Sequence, residues 1–136
     1  MKKVVSLITV FLAMLVLFSG CGAAPLAAAF DEAKVKDGAK ASITALDEKK
    51  FEEFSALVSE SIKSSLSAEV MKKAIDQVMP NAGKFKEYTS QTVAGTKDKD
   101  GNDCAVAVMT AKYENQKVTY TITFDKEMKI VGFYLK

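Results

Sequence analysis

Between residues 104 and 135 apolar side chains recur at every second position, and two short polar turns interrupt the pattern. A period of two sends successive side chains to opposite faces of an extended chain. Such a tract therefore buries one face only as antiparallel strands. Strands are expected at Phe85–Val93, Cys104–Tyr113, Lys117–Phe124 and Lys129–Leu135. A two-residue turn at Asn115-Gln116 sets Glu114 opposite Lys117, which pairs Tyr113 with Val118, Ala111 with Tyr120 and Met109 with Ile122. A four-residue turn at Asp125–Met128 sets Phe124 opposite Lys129, which pairs Ile122 with Val131, Tyr120 with Phe133 and Val118 with Leu135. Both turns yield the same apolar inward face, since turn geometry and hydrophobic pattern together fix register. The opposite face carries Cys104, Val106, Val108, Thr110, Thr119, Thr121, Thr123, Ile130 and Tyr134, with threonine where a solvated sheet would show charge. That face is expected to meet a partner, with a homodimer through the outer sheet as the specific expectation. The first strand leaves two registers open, with either Phe85 or Tyr88 pointing inward.

Upstream, the apolar period lengthens to that of helices. One helix is expected from Leu26 to Leu46, with Val35, Ala39, Ser42 and Leu46 on a stripe, and a second from Glu48 to Ser59. A third opens at Ser67 as N-cap, with a Leu66–Met71 staple, and ends at Pro80 and Gly83. Helices followed by a meander imply an α+β layer architecture, three N-terminal helices packed on a curved four-stranded antiparallel sheet.

The first 21 residues carry a separate message. Lys2-Lys3 precede an uncharged run from Val4 to Phe18, then the small Ser19 and Gly20, then Cys21. A basic start, an apolar core shorter than a membrane span and small residues at a cleavage point make a secretory signal. Leu17-Phe18-Ser19-Gly20-Cys21 resembles a bacterial lipoprotein lipobox, with Phe18 standing where leucine is usual. The resemblance implies cleavage between Gly20 and Cys21, a diacylglycerol and further acylation (palmitate) at Cys21, and anchoring on the extracytoplasmic side of the cell membrane. The organisation expected is a signal peptide at 1–20, the lipidated cysteine and a short spacer at 21–29, and one domain at 30–136. Cys104 then has no partner within the chain and reads as a small buried hydrophobe.

Composition removes whole classes of function. All 19 basic residues are lysine, the acidic residues number 17, and there is no His or Trp. Removing Lys2 and Lys3 with the leader leaves lysines and acids in balance, so no global field attracts nucleic acid. The absence of arginine removes two-point phosphate and guanine recognition, and the absence of histidine removes the commonest general base and metal ligand. Asp98-Lys99-Asp100-Gly101-Asn102-Asp103 invites a calcium reading. Setting Gly101 at the loop glycine, however, puts Thr96 and Ala107 where the first and twelfth ligands belong, so a hairpin turn is expected there. No metal, cofactor or catalytic residue is expected, although a Glu87/Tyr120 acid pair is open should Phe85 point inward.

A wider resemblance runs over residues 30–136. It is carried by Leu46-Asp47-Glu48-Lys49-Lys50-Phe51-Glu52-Glu53-Phe54, Leu66-Ser67-Ala68-Glu69, Ala82-Gly83-Lys84-Phe85, Ile122-Thr123-Phe124-Asp125 and Lys129-Ile130-Val131-Gly132-Phe133. These resemble the bacterial domain of unknown function family 3887, of the nuclear transport factor 2-like (cystatin-like) superfamily. The resemblance implies a cone in which helices and sheet enclose a pocket, in a superfamily that includes isomerases, dehydratases and non-enzymatic binding domains. The inward residues Phe54, Met79, Met109, Tyr113, Tyr120 and Phe133 are expected to line a pocket for a small apolar or amphipathic ligand. The competing expectations are a filled cone acting as a protein-interaction module, and an isomerase or dehydratase.

Overall fold

The computed structural model describes residues 24–136, so the leader, the lipobox and Cys21 lie outside the described residues. In chain order the elements are α1 (Glu32–Asp47), α2 (Phe51–Ala56), a 3-10 turn (Glu60–Ile62), α3 (Ala68–Val78), β1 (Phe85–Lys97), β2 (Asp103–Tyr113), β3 (Lys117–Phe124) and β4 (Ile130–Leu135). The strands form one antiparallel sheet in the order β1-β2-β3-β4, with the helices on one face. This is the cone of the nuclear transport factor 2-like fold.

The helices obey local signals more strictly than the apolar periodicity suggests. Asp31 is the N-cap of α1, its carboxylate accepting from the Lys34 N–H at 3.1 Å, so the helix starts well after the expected Leu26–Leu46 helix does. The stretch before it folds as a turn closed by Phe30 N–H donating to the Ala27 carbonyl. Ser67 caps α3 as expected, accepting from Val70 N–H, and Leu66 and Met71 are both buried. The second helix is shorter than Glu48–Ser59 because Lys49 takes φ +58° and closes α1. Lys49 N–H donates to the Leu46 carbonyl and Lys50 N–H to the Ala45 carbonyl, the two bonds of a Schellman cap.

Both strand pairings slip by two residues from the expected register, and an even slip keeps every side chain on its face. In the β2–β3 hairpin Tyr113 N–H donates to the Gln116 carbonyl, so the turn is Glu114-Asn115 and not Asn115-Gln116. Met109 consequently faces Tyr120, Ala107 faces Ile122 and Ala111 faces Val118. In the β3–β4 hairpin Asp125 pairs with Lys129, leaving a three-residue loop with Met128 at φ +61°. Asp125 Oδ1 accepts from the Glu127 and Lys129 N–H groups.

The β1–β2 loop repeats that device. Asp98 accepts from the Asp100 and Asn102 N–H groups and Gly101 takes φ +83°. The Asn102 side-chain amide, donating to Asp98 Oδ2 at 2.9 Å, and these backbone bonds hold the Asp98 carboxyl below the usual carboxylate range. The Asp98–Asp103 stretch is thus the expected hairpin turn.

An odd slip does change faces, and it occurs at Val131. A bulge there pairs Phe124 with Ile130 but Thr123 with Gly132, so Ile130 turns inward and is fully buried, against the expectation that it faces out. Two bulges in β1 similarly bring Phe85 opposite Tyr113 and Tyr88 opposite Ala111, so both aromatics lie on the inner face. The alternative of one or the other is resolved in favour of both. Glu87 then pairs with Lys112 and is exposed, which separates it from Tyr120 and removes the Glu87/Tyr120 pair.

The cone is filled along most of its length. Val35, Ala39, Ile43 and Leu46 of α1 bury against Ala105, Ala107, Met109 and Ala111 of β2. The small alanines of β2 let α1 lie close to the sheet and leave room beside them for the rings of Tyr120, Phe124 and Phe133 on β3 and β4. Phe54 of α2 closes the space edge-on to Phe133, with ring centroids 5.1 Å apart. On the outer face Cys104 and Val106 are buried, and Val108, Thr110, Thr119, Thr121, Thr123 and Tyr134 are half-buried. Burial, joined by the charges of Asp98 and Asp125, raises the Cys104 thiol pKa, which keeps it protonated and unreactive.

Candidate functional site

At one end of the cone the filling stops. A half-open cavity of about 360 Å³ lies between the C-terminal end of α1, the end of α3, the α3–β1 loop and the end of β2. That is near the lower bound of small-molecule sites, ~300–1000 Å³. Leu46, Ile75, Met79 and Phe85 supply apolar walls, Lys49 and Lys84 stand on the lining, and Asp47 and Tyr113 provide its hydrogen-bonding groups.

Local rules place each of these groups. Asp47 is the last residue of α1, where the negative end of the helix dipole disfavours a carboxylate. Burial raises its pKa further and outweighs the opposing hydrogen bond from Tyr113, and Glu48 beside it adds repulsion. The Schellman cap that follows keeps a lysine in a left-handed conformation where glycine is usual, so backbone strain also gathers here. The α3–β1 loop is clasped by the β2–β3 turn. Gln116 Nε2 donates to the Val78 carbonyl, Asn115 Nδ2 to the Asn81 carbonyl, Asn115 N–H to Ala82 and Glu114 N–H to Lys84. Gly83, at φ +81°, lies against Glu114, and a Cβ there would come 2.8 Å from the Glu114 Cβ.

Behind the cavity wall runs a chain of hydroxyls. Tyr113 Oη donates to Asp47 Oδ1 at 2.6 Å and lies 2.7 Å from Tyr120 Oη, which in turn lies 3.3 Å from Met79 Sδ. With Asp47 ionised, Tyr113 donates to it and accepts from Tyr120. With Asp47 protonated, the same atoms accommodate the reverse order, ending at the Met79 sulfur. Both tyrosines are held well above the ordinary phenol range, chiefly by burial, so they act as neutral donors and not as phenolates. Tyr88, half-buried with Lys40 over its ring, is pushed up to about 12 by burial and by the Asp47 charge. No described donor reaches Asp47 Oδ2, and no described side-chain oxygen is both buried and unpartnered, so this oxygen is open to solvent. The site can therefore accept a hydrogen bond from a bound molecule.

Of the six residues expected to line the pocket, Tyr113 and Met79 do so. Tyr120 stands one layer behind, fully buried and bonded to both. Phe54, Met109 and Phe133 are packed into the core, because the alanines of β2 let them fill the cone axis instead of lining it. Asp47 is not a candidate from sequence. Its one signal is an acidic residue closing an amphipathic helix, at the wrong end for the dipole. Among the described residues no group of three or more His, Cys, Asp or Glu could hold a metal ion.

The model of a family described as protein of unknown function (DUF3887) matches residues 39–133. The chain belongs to the DUF3887 family. A similar solved structure, the NMR structure of a protein from Ruminococcus gnavus ATCC 29149, has a TM-score of 0.72 at 26% identity. The match covers 82% of this chain and 96% of that one. No curated protein matches the chain. The DUF3887 span includes every residue of the cavity and stops short of the segment before α1.

Proposed function

We propose that this DUF3887 domain is a non-enzymatic binding module, lipid-anchored through Cys21 on the extracytoplasmic side of the membrane. Its end cavity takes a small amphipathic ligand. The apolar part of the ligand rests on Leu46, Ile75, Met79 and Phe85, and a hydroxyl, amide or amine group donates to Asp47. The observation that carries this reading is the open Oδ2 of a carboxylate whose other oxygen is fixed by Tyr113, in a cavity whose walls combine Leu46, Ile75, Met79 and Phe85 with the charged Lys49 and Lys84. Anchoring rests on the lipobox-like Leu17–Cys21 stretch. No helix among the described residues is long and apolar enough to cross a membrane. A thermal-shift screen with short alkyl amides, alcohols and amines tests the pocket, since a ligand bound only by the folded state raises the melting temperature. Phe85 is 40% exposed, so Phe85→Ala should leave the fold intact and abolish the shift. A shift that survives both Phe85→Ala and Asp47→Ala would place the ligand elsewhere. Cys21→Ser should release the protein from membranes, and unchanged fractionation and mass would refute the anchor.

The alternative occupant is a second copy on the outer face, favoured by the charge-free row Val108, Thr110, Thr119, Thr121 and Thr123. Sedimentation at rising concentration tests it, and a monomer throughout would remove it.

A further inference from the structure

The chain ahead of α1 is fastened to the sheet. Gly95 N–H donates to the Ala24 carbonyl at 2.8 Å, forming an antiparallel bridge on the free edge of β1. A Cβ at Gly95 would collide with the Pro25 carbonyl, so the close crossing depends on glycine. Beyond it Leu26 and Phe30 pack against the core and Asp31 caps α1. The route from Ala24 to the first helix is thus fixed at each step.

Its position along the sheet has a directional consequence. Gly95 pairs with Ala105, two positions from the β1–β2 hairpin, whereas Tyr113 of the cavity lies at the far end of β2. At a rise of ~3.3 Å per residue, the crossing and the cavity stand about 26 Å apart. Helix α1, about 24 Å long at a rise of ~1.5 Å per residue, ends at Asp47 in the cavity. Only Gly22 and Ala23 separate Cys21 from the docked Ala24, a reach of about 10 Å at full extension. The antiparallel sense of the bridge also directs the N-terminal side of Ala24 toward the hairpin end.

Resting on the lipid-anchored reading above, we infer that this strap stands the domain on the bilayer by its hairpin end. The Asp98–Asn102 and Asp125–Lys129 loops lie near the headgroups and the cavity opens away from them. The ligand then comes from the aqueous side and is not drawn from the membrane that holds the anchor.

The test uses the full-length, processed protein in vesicles of phosphatidylethanolamine and phosphatidylglycerol with an acceptor dye on the lipid. In a Cys104→Ser background, a donor is placed at Lys99→Cys on the hairpin or at Lys84→Cys on the cavity. Energy transfer several-fold stronger from position 99 supports the orientation, and equal or reversed transfer overturns it. Gly95→Val should keep the protein on the vesicles while narrowing the difference between positions, and an unchanged difference would exclude the strap as its cause. Mass and flotation report the anchor separately, and an unmodified, non-floating protein overturns anchor and orientation together. Hydrogen exchange of the Gly95 amide reports the strap whatever the anchor does: slow exchange supports docking and fast exchange refutes it.

Discussion

Replacing Tyr113 by phenylalanine removes one oxygen and, with it, two hydrogen bonds. The ring would stay where it is, packed edge-on to Phe85 at 5.9 Å, so little apolar area changes. The cost is polar. Asp47 Oδ1 loses its donor, and Tyr120 keeps only the Met79 sulfur as partner. A hydrogen bond to a charged group contributes ~1.5–3 kcal/mol and a neutral one about 1 kcal/mol. Asp47 is only partly buried, so water recovers some of the first. The expected loss is about 2 kcal/mol at neutral pH, or on the order of 8 °C in melting temperature for a domain of this size. Below the Asp47 pKa the carboxyl is neutral and the cost should shrink toward about 1 kcal/mol. Urea melts of wild type, Tyr113→Phe, Asp47→Asn and the double variant measure the coupling directly, with about 1 kcal/mol or more expected between the pair. Additive losses, or a Tyr113→Phe cost independent of pH, would refute the network as a coupled unit.

Asp47→Asn should behave in the opposite sense. The folded-state pKa of Asp47 is raised above its unfolded value of 3.8, so its charged form costs stability, and stability falls as pH rises from about 4 through the folded pKa. The amide cannot ionise, so the substitution removes that slope and should leave the protein as stable or more stable at neutral pH. Melts across pH 3.5–7 would register the difference. Lys49→Gly relieves a left-handed φ of +58° and should add about 0.5–1 kcal/mol of stability in a denaturant melt. Gly101→Ala should cost about 1 kcal/mol, since φ is +83° and nothing lies within 4 Å of the new methyl group to compensate or to clash.

The layer architecture and the inward face were legible because they rest on period-two alternation, which an even register error cannot disturb. Tyr120 and Ile122 stayed inward although each pairs two residues away from where the turns suggested. What alternation alone does not reveal is a bulge, or a left-handed residue that is not glycine. The bulge at Val131, beside Gly132, turns Ile130 into the core, and two bulges in β1 place Phe85 and Tyr88 on one face with no glycine or proline beside them. The left-handed Lys49 and Met128 were likewise hidden, because glycine usually marks such positions. The cavity shared this fate. Aromatic residues at inward positions suggest a lining, but the run of small Ala105, Ala107 and Ala111 draws Phe54 and Phe133 into the axis and fills it. The space survives only where helix α1 ends, on a carboxylate whose partner lies 66 residues downstream.

The most direct test of the central claim is a two-dimensional amide NMR titration of the domain with short alkyl amides, alcohols and amines. Saturable shifts should cluster on Leu46, Asp47, Ile75, Met79, Gly83 and Phe85, and should be lost in Asp47→Ala. Shifts confined to the outer face around Val108 and Thr121, or none with any compound, would contradict it.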